Sequence, residues 1–140
     1  MTPGRIASWL QRVLGRDRQS HLRSRALIAD LADAGSEGSF LRLRALLHPH
    51  VELVIDADGT VPAPLAPVRG RDAVARALAH LFSDDPGVRA TDETVNGLPG
   101  LALRRGDAVI GVIAVDVRAG AVTAVWAVLN PDKLRHWNLP

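Results

Sequence analysis

Two long apolar runs with a short polar interruption dominate the distribution of hydrophobic residues along the chain. Ala108 to Val117 and Ala121 to Leu129 are rich in Val, Ile and Ala. Each is long enough for a strand of about 30 Å, at roughly 3.3 Å per residue. Arg118-Ala119-Gly120 predicts the turn between them, with Gly120 free to take positive φ. A sheet with one wet face alternates apolar and polar residues, and these strands barely alternate. Strict alternation puts Val109, Gly111, Ile113, Val115 and Val117 on one face, and Ile110, Val112, Ala114 and Asp116 on the other. Both faces therefore need cover: helices for one, and a partner subunit, a cavity wall or more of the same chain for the other. Asn130-Pro131 ends the pairing, because Pro131 has no N–H to donate.

Upstream, the period changes from two to 3.6. Thr2-Pro3 reads as a helix start, and Ile6, Trp9, Leu10, Val13 and Leu14 form a helical stripe that ends near Gly15. Ser20 caps an expected second helix to about Ala34, with Leu27, Ile28, Leu31 and Ala34 on one side, and Gly35-Ser36-Glu37-Gly38 breaks it. Ser39 caps a third, striped by Phe40, Leu43, Leu46 and Leu47 and closed by His48-Pro49-His50. Val51 to Asp56 reads as a strand, and Asp56 to Thr60 as a turn. The three prolines between Val61 and Pro67 allow an edge strand or irregular backbone. Gly70 to Phe82 is a helix with Val74, Ala77, Leu78, Leu81 and Phe82 on one face. A more polar strand, Val88 to Asn96, and a short one, Leu101 to Arg105, precede the long hairpin. Helices first, then a strand pair, a helix and a four-strand meander make an α+β pattern with helices on one face of a mostly antiparallel sheet.

Composition narrows the class. At 140 residues one main domain is expected, here residues 19–140 preceded by a basic amphipathic helix at 1–18, and 47% hydrophobic residues suffice for a core. No cysteine is present, which removes disulfides and thiolate metal sites. No apolar run reaches membrane-spanning length, and the N-terminus lacks a signal-peptide pattern, so a soluble cytoplasmic protein is expected. The net charge of +2 is uneven. Arg5, Arg12, Arg16, Arg18, Arg23 and Arg25 face a single early acid, Asp17, while the remainder is net acidic. With a short basic arm, 4% aromatic residues and no DNA-binding motif, nucleic acid is not the expected partner. The two histidines beside Pro49 and the incomplete calcium-loop pattern after Asp56 read as a helix exit and a turn, so no metal and no cofactor are expected.

Ala45-Leu46-Leu47-His48-Pro49-His50-Val51-Glu52-Leu53, Pro67-Val68-Arg69-Gly70, Val95-Asn96-Gly97, Pro99-Gly100-Leu101 and Asn130-Pro131-Asp132-Lys133-Leu134 together resemble the SnoaL-like branch of the nuclear-transport-factor-2-like superfamily. Within it they are most similar to the C-terminal domains of certain extracytoplasmic-function sigma factors. The resemblance covers roughly Phe40 to Trp137, and the Asn-Pro-Asp-Lys-Leu ending is its most specific part. It implies a cone-shaped sheet with N-terminal helices on its concave face, a small apolar pocket, and a homodimer formed through the sheet. Two departures are visible. The stretch ahead of the domain holds no sigma domains, so a freestanding domain is expected. The family's Asp-Gly-Gly-Gly-Lys loop is here Asp56-Ala57-Asp58-Gly59-Thr60, which keeps Asp56 and Gly59 and loses the lysine. In the family, that loop and the tail (Asn130, Pro131, Asp132, Lys133 and Leu134 here) are linked to regulation of the sigma domains, which implies a partner in the transcription machinery.

Two functions remain open. One is a noncatalytic binding or regulatory domain with a small apolar ligand. The other is a cofactor-independent isomerase, polyketide cyclase or epoxide hydrolase, as the resemblance to the enzyme branches implies. An acid in an apolar cavity has its pKa raised towards neutrality and can both take and give a proton. Asp116 and Asp92 are the candidate catalytic acids, and Asn96, Trp126 and Glu93 the candidate pocket residues. The absence of tyrosine removes the phenol donor of ketosteroid-isomerase-type sites. A filled pocket, with Asp132 and Lys133 exposed beside an apolar patch, is the arrangement expected of a binding domain.

Overall fold

In a computed structural model, the protein is described over residues 18–57, 66–83, 87–95 and 98–138. The expected helix at 1–18 lies outside this range except for its last residue, as do Gly59, Asn96 and most of the proline-rich stretch. Helices α1 (Arg18–Ser36) and α2 (Phe40–Leu46) come first, followed by strands β1 (Leu47–Asp56) and β2 (Val68–Arg69) and helix α3 (Arg71–Ser83). Strands β3 (Val88–Val95), β4 (Leu98–Arg105), β5 (Ala108–Arg118) and β6 (Ala121–Val128) then form the meander, and a 3-10 helix, Pro131–Asn138, follows. The sheet is open, with order β2-β1-β6-β5-β4-β3. The α+β pattern expected from the sequence is the one found.

Local chemistry explains the helix boundaries. Ser39 caps α2, its hydroxyl accepting the Arg42 N–H at 3.2 Å. Gly38 supplies the positive φ, 65°, of the α1–α2 link. Gly35, expected as part of the break, is instead inside α1. A Cβ there would lie 2.4 Å from the Phe82 ring, so the missing side chain lets α1 and α3 approach each other. The β5–β6 turn has positive φ at both Ala119 and Gly120, as a two-residue hairpin turn of matching twist requires.

Three pairing features depart from the simple strand reading. β1 begins at Leu47 rather than Val51, running through Pro49, and its register against β6 shifts between Leu47 and Glu52, where Pro49 cannot donate to the ladder. β1 and β6 pair in parallel, the one parallel contact in a sheet otherwise antiparallel among the described residues. Bulges interrupt the long hairpin. Leu103 faces Gly111 while Arg104 faces Val109, leaving Ile110 as the extra residue. Asp116 faces Ala124 while Val117 faces Val122, leaving Thr123 extra. Each bulge resets the alternation. Val109 therefore joins Val112, Ala114 and Trp126 on one face, while Ile110 and Val122 join Ile113 and Val125 on the other.

The sheet separates two cores. On the inner face, Ile28, Leu31, Leu43, Val74, Leu78 and Phe82 of the three helices pack on Leu53, Leu101, Leu103, Ile113, Val115 and Val125. The outer face carries a smaller cluster: Val95, Ala102, Val109, Val112, Ala114 and Trp126, joined by Leu134 of the C-terminal 3-10 helix. More of the same chain thus covers part of the face for which a second subunit was one expected cover. No described helix is long and apolar enough to cross a membrane.

Candidate functional site

The family-like C-terminal motif folds back over the outer face. Leu129 N–H donates to Asp56 O at 2.7 Å, carrying the chain past the end of β6 alongside β1. Asn130 then turns it: its Oδ1 accepts the Asp132 N–H at 3.1 Å, and its carbonyl accepts the Lys133 N–H at 3.0 Å. Lys133 Nζ reaches Asp56 Oδ2 at 2.6 Å. The two residues, 77 positions apart, are the motif lysine and the retained first residue of the altered loop. Asp56 is buried on one side of this pair and Lys133 is partly open to solvent on the other (8% and 39% side-chain exposure). Leu134 enters the outer cluster, with Trp137 packed at its margin. Asn138 fastens the far end: its Oδ1 accepts the Val109 N–H at 2.7 Å and its Nδ2 donates to Val109 O at 2.9 Å. Asp132 and Arg135 are exposed and bridged at 3.2 Å.

The candidate acids lie apart. Asp116 is buried on the outer face near the hairpin turn. Arg118 Nε and Thr123 Oγ1 each lie 3.4 Å from its Oδ2, and Thr123 Oγ1 also donates to the Asp116 carbonyl at 3.2 Å. Asp92 is opposite Leu101, so it projects to the inner face, where it is half-exposed and 3.8 Å from Arg25 of α1. Glu93 projects outward opposite Gly100 and accepts Arg104 Nη2 at 2.7 Å, while Arg104 Nε donates to Thr91 Oγ1 at 3.1 Å. Trp126 is buried on the outer face opposite Ala114, the small neighbour leaving room for the indole. Neighbours one apart on a strand point to opposite faces. Asp92 and Asp116 cannot meet in one cavity without changing face. Residue 96 and Gly59 fall outside the described residues.

Between α1 and the β5–β6 turn lies an open cleft of about 620 Å³, bordered by Arg23, Leu27, Asp30, Val117, Arg118 and Gly120. Its described lining includes none of Asp92, Glu93, Asp116 or Trp126. The His48 and His50 rings lie 5.6 Å apart, tilted by 43°, and His48 Nδ1 accepts the His50 N–H at 3.0 Å, which engages that ring nitrogen within the start of β1. Sequence reading marked Asp56 and Lys133 as family residues but not as partners. It missed Asn138 altogether, for which the Asn type at a helix end was the available signal.

Three helices on one face of an open, curved, mostly antiparallel sheet define the SnoaL-like form of the nuclear-transport-factor-2-like fold. The chain has this fold and is related in sequence to part of an extracytoplasmic-function sigma factor. It is 33% identical over 118 residues to the ECF RNA polymerase sigma factor SigJ of Mycobacterium tuberculosis, a match covering 76% of this chain and 38% of SigJ. The chain thus spans well under half the length of that relative. The crystal structure of SigJ superposes with a TM-score of 0.59 at 27% identity, over 84% of this chain and 44% of SigJ. A presumed ketosteroid isomerase of Kribbella flavida gives 0.55 at 22% identity over 78% of each chain. A presumed SnoaL-like polyketide cyclase of a Jannaschia species gives 0.55 at 16%, over 81% of this chain and 90% of that one. At such identities these last two share the fold alone. No family model matches the chain.

Proposed function

We propose that this domain is a noncatalytic binding and regulatory module that acts through protein contact with the transcription machinery. The observation that carries the reading is the fastening of the Asn130–Leu134 motif to Asp56 on the outer face, with Asp132 and Arg135 presented to solvent. A charged, exposed segment held at a fixed position over an apolar sheet is suited to meeting a protein surface. The dispersal of Asp92, Glu93 and Asp116 over both faces, each with an arginine partner, at 3.8, 2.7 and 3.4 Å, favours this over proton-transfer catalysis. A small apolar ligand and a homodimer through the sheet belong to the same reading. The dimer would have to form beside, or in place of, the C-terminal segment.

The test is direct binding of the full chain to bacterial RNA polymerase core and to isolated sigma regions, measured by biolayer interferometry. Binding is expected, weakened at least five-fold by Asp132→Ala/Arg135→Ala. Absence of binding, together with turnover of a ketosteroid or polyketide ketone that Asp116→Asn abolishes, would establish the enzyme reading instead.

A further inference from the structure

The C-terminal 3-10 helix is held to the sheet by a set of contacts that reads as peptide recognition. Along Lys133-Leu134-Arg135-His136-Trp137-Asn138, the first, second and last side chains are each met by a distinct feature of the outer face. The ammonium meets a buried carboxylate at 2.6 Å. Leu134 is 3% exposed within the outer cluster. Asn138 engages both backbone polar groups of Val109. That last contact has a topological cause. β6 ends at Val128, opposite Val112, so no β6 residue pairs with Val109. The bulge at Ile110 lies beside it. The Asn138 amide stands in for the missing strand, as an edge-binding peptide does with its backbone.

The segment that fills this site contributes little structure of its own. A 3-10 helix rarely exceeds three or four residues because its hydrogen-bond geometry is poor, and this one has eight. Its conformation therefore depends on the contacts it makes with the sheet. Arg135 and His136 point away into solvent, so the site reads the other positions.

We propose that the outer face of the sheet is a peptide-binding site specific for a Lys-Leu-x-x-Trp-Asn segment, filled in cis by residues 131–138 and able to take the same segment from a second copy of the chain. A tethered segment competes at an effective concentration in the millimolar range, so the site accepts a free peptide only when the tethered one is weakened. The proposal deepens the binding reading and fails separately from it. Polymerase binding without peptide uptake overturns this site alone, and peptide uptake without polymerase binding overturns the earlier reading alone.

The experiment uses a fluorescent peptide of residues 129–140, titrated by anisotropy against the full wild-type chain and the full chain carrying Lys133→Glu/Asn138→Ala. Saturable binding to the variant, at least ten-fold tighter than to wild type, is expected. A peptide carrying Lys133→Glu should bind that variant at least ten-fold more weakly. In a chain carrying Asp56→Lys/Asn138→Ala the preference should invert towards the Glu peptide. A variant that keeps its wild-type circular dichroism and cooperative melting yet takes up no peptide overturns the site. So does equal binding of a scrambled peptide. If the double variant fails to fold, the Asn138→Ala chain carries the same comparison with an expected gain of about three-fold, and no gain there overturns the site.

Discussion

The inner and outer faces of the sheet are both apolar, but they are closed by different means. Three helices close the inner face with large aliphatic side chains, many of them fully buried, such as Ile28, Leu31, Leu43 and Leu78, packed on Leu53 and Ile113 of the sheet. The described segment on the outer face is one 3-10 helix, held by a single buried leucine, a half-open ion pair and an amide clamp. Burial of apolar area contributes about 25 cal/mol per Å², so most of the stability resides inside. The outer closure gains its specificity from directional polar contacts. The difference suggests a division of labour, with one face making the fold and the other able to exchange what covers it.

The largest expected effect would break that comparison if it failed. Leu53→Ala should cost about 3–5 kcal/mol in urea unfolding, because the packed interior cannot collapse around the cavity. Leu134→Ala, equally buried but on a short surface helix, should cost only about 2 kcal/mol, as the helix can settle or lift. Equal costs would make the C-terminal helix an integral part of the core. Next, Lys133→Met should cost about 1–3 kcal/mol, since it leaves the buried Asp56 carboxylate without its cation, and adding Asp56→Asn should recover part of that loss. A double-mutant cycle measures the coupling.

The smallest effect lies on the helix side, between α2 and α3. Arg44 bonds the Asp72 carboxylate and lowers its pKa, against a smaller opposing effect of desolvation. A carboxylate whose folded pKa is depressed contributes stability above its unfolded pKa, and that contribution is lost as pH falls through the folded value. Acid titration of stability should therefore show a slightly shallower fall below about pH 4 in Asp72→Asn than in wild type. The surface position keeps the effect small.

Much of the fold was legible because local signals agreed. The helical stripes, the Ser39 cap, the Ala119-Gly120 turn and the meander each follow from short-range chemistry. The bulges at Ile110 and Thr123 were not, because strict alternation has no way to mark an extra residue when both faces are apolar. The parallel β1–β6 pairing and the Asp56–Lys133 bond are long-range products of topology, joining residues far apart in the chain. For the same reason the face on which Asp116 lies could not be tied to the helices from periodicity alone. The fold itself is shared by proteins of different chemistry, so function here is argued from the site.

On this division of labour the outer closure opens independently of the inner core. Native-state hydrogen exchange of the Val109 amide measures this most directly, because its hydrogen bond is to the Asn138 side chain of the C-terminal helix. Val109 should exchange through a local opening at least about 2 kcal/mol cheaper than the β5–β6 ladder around Ile113, and Asn138→Ala should accelerate exchange at Val109 alone. Exchange of Val109 and Ile113 through one common global opening would contradict it.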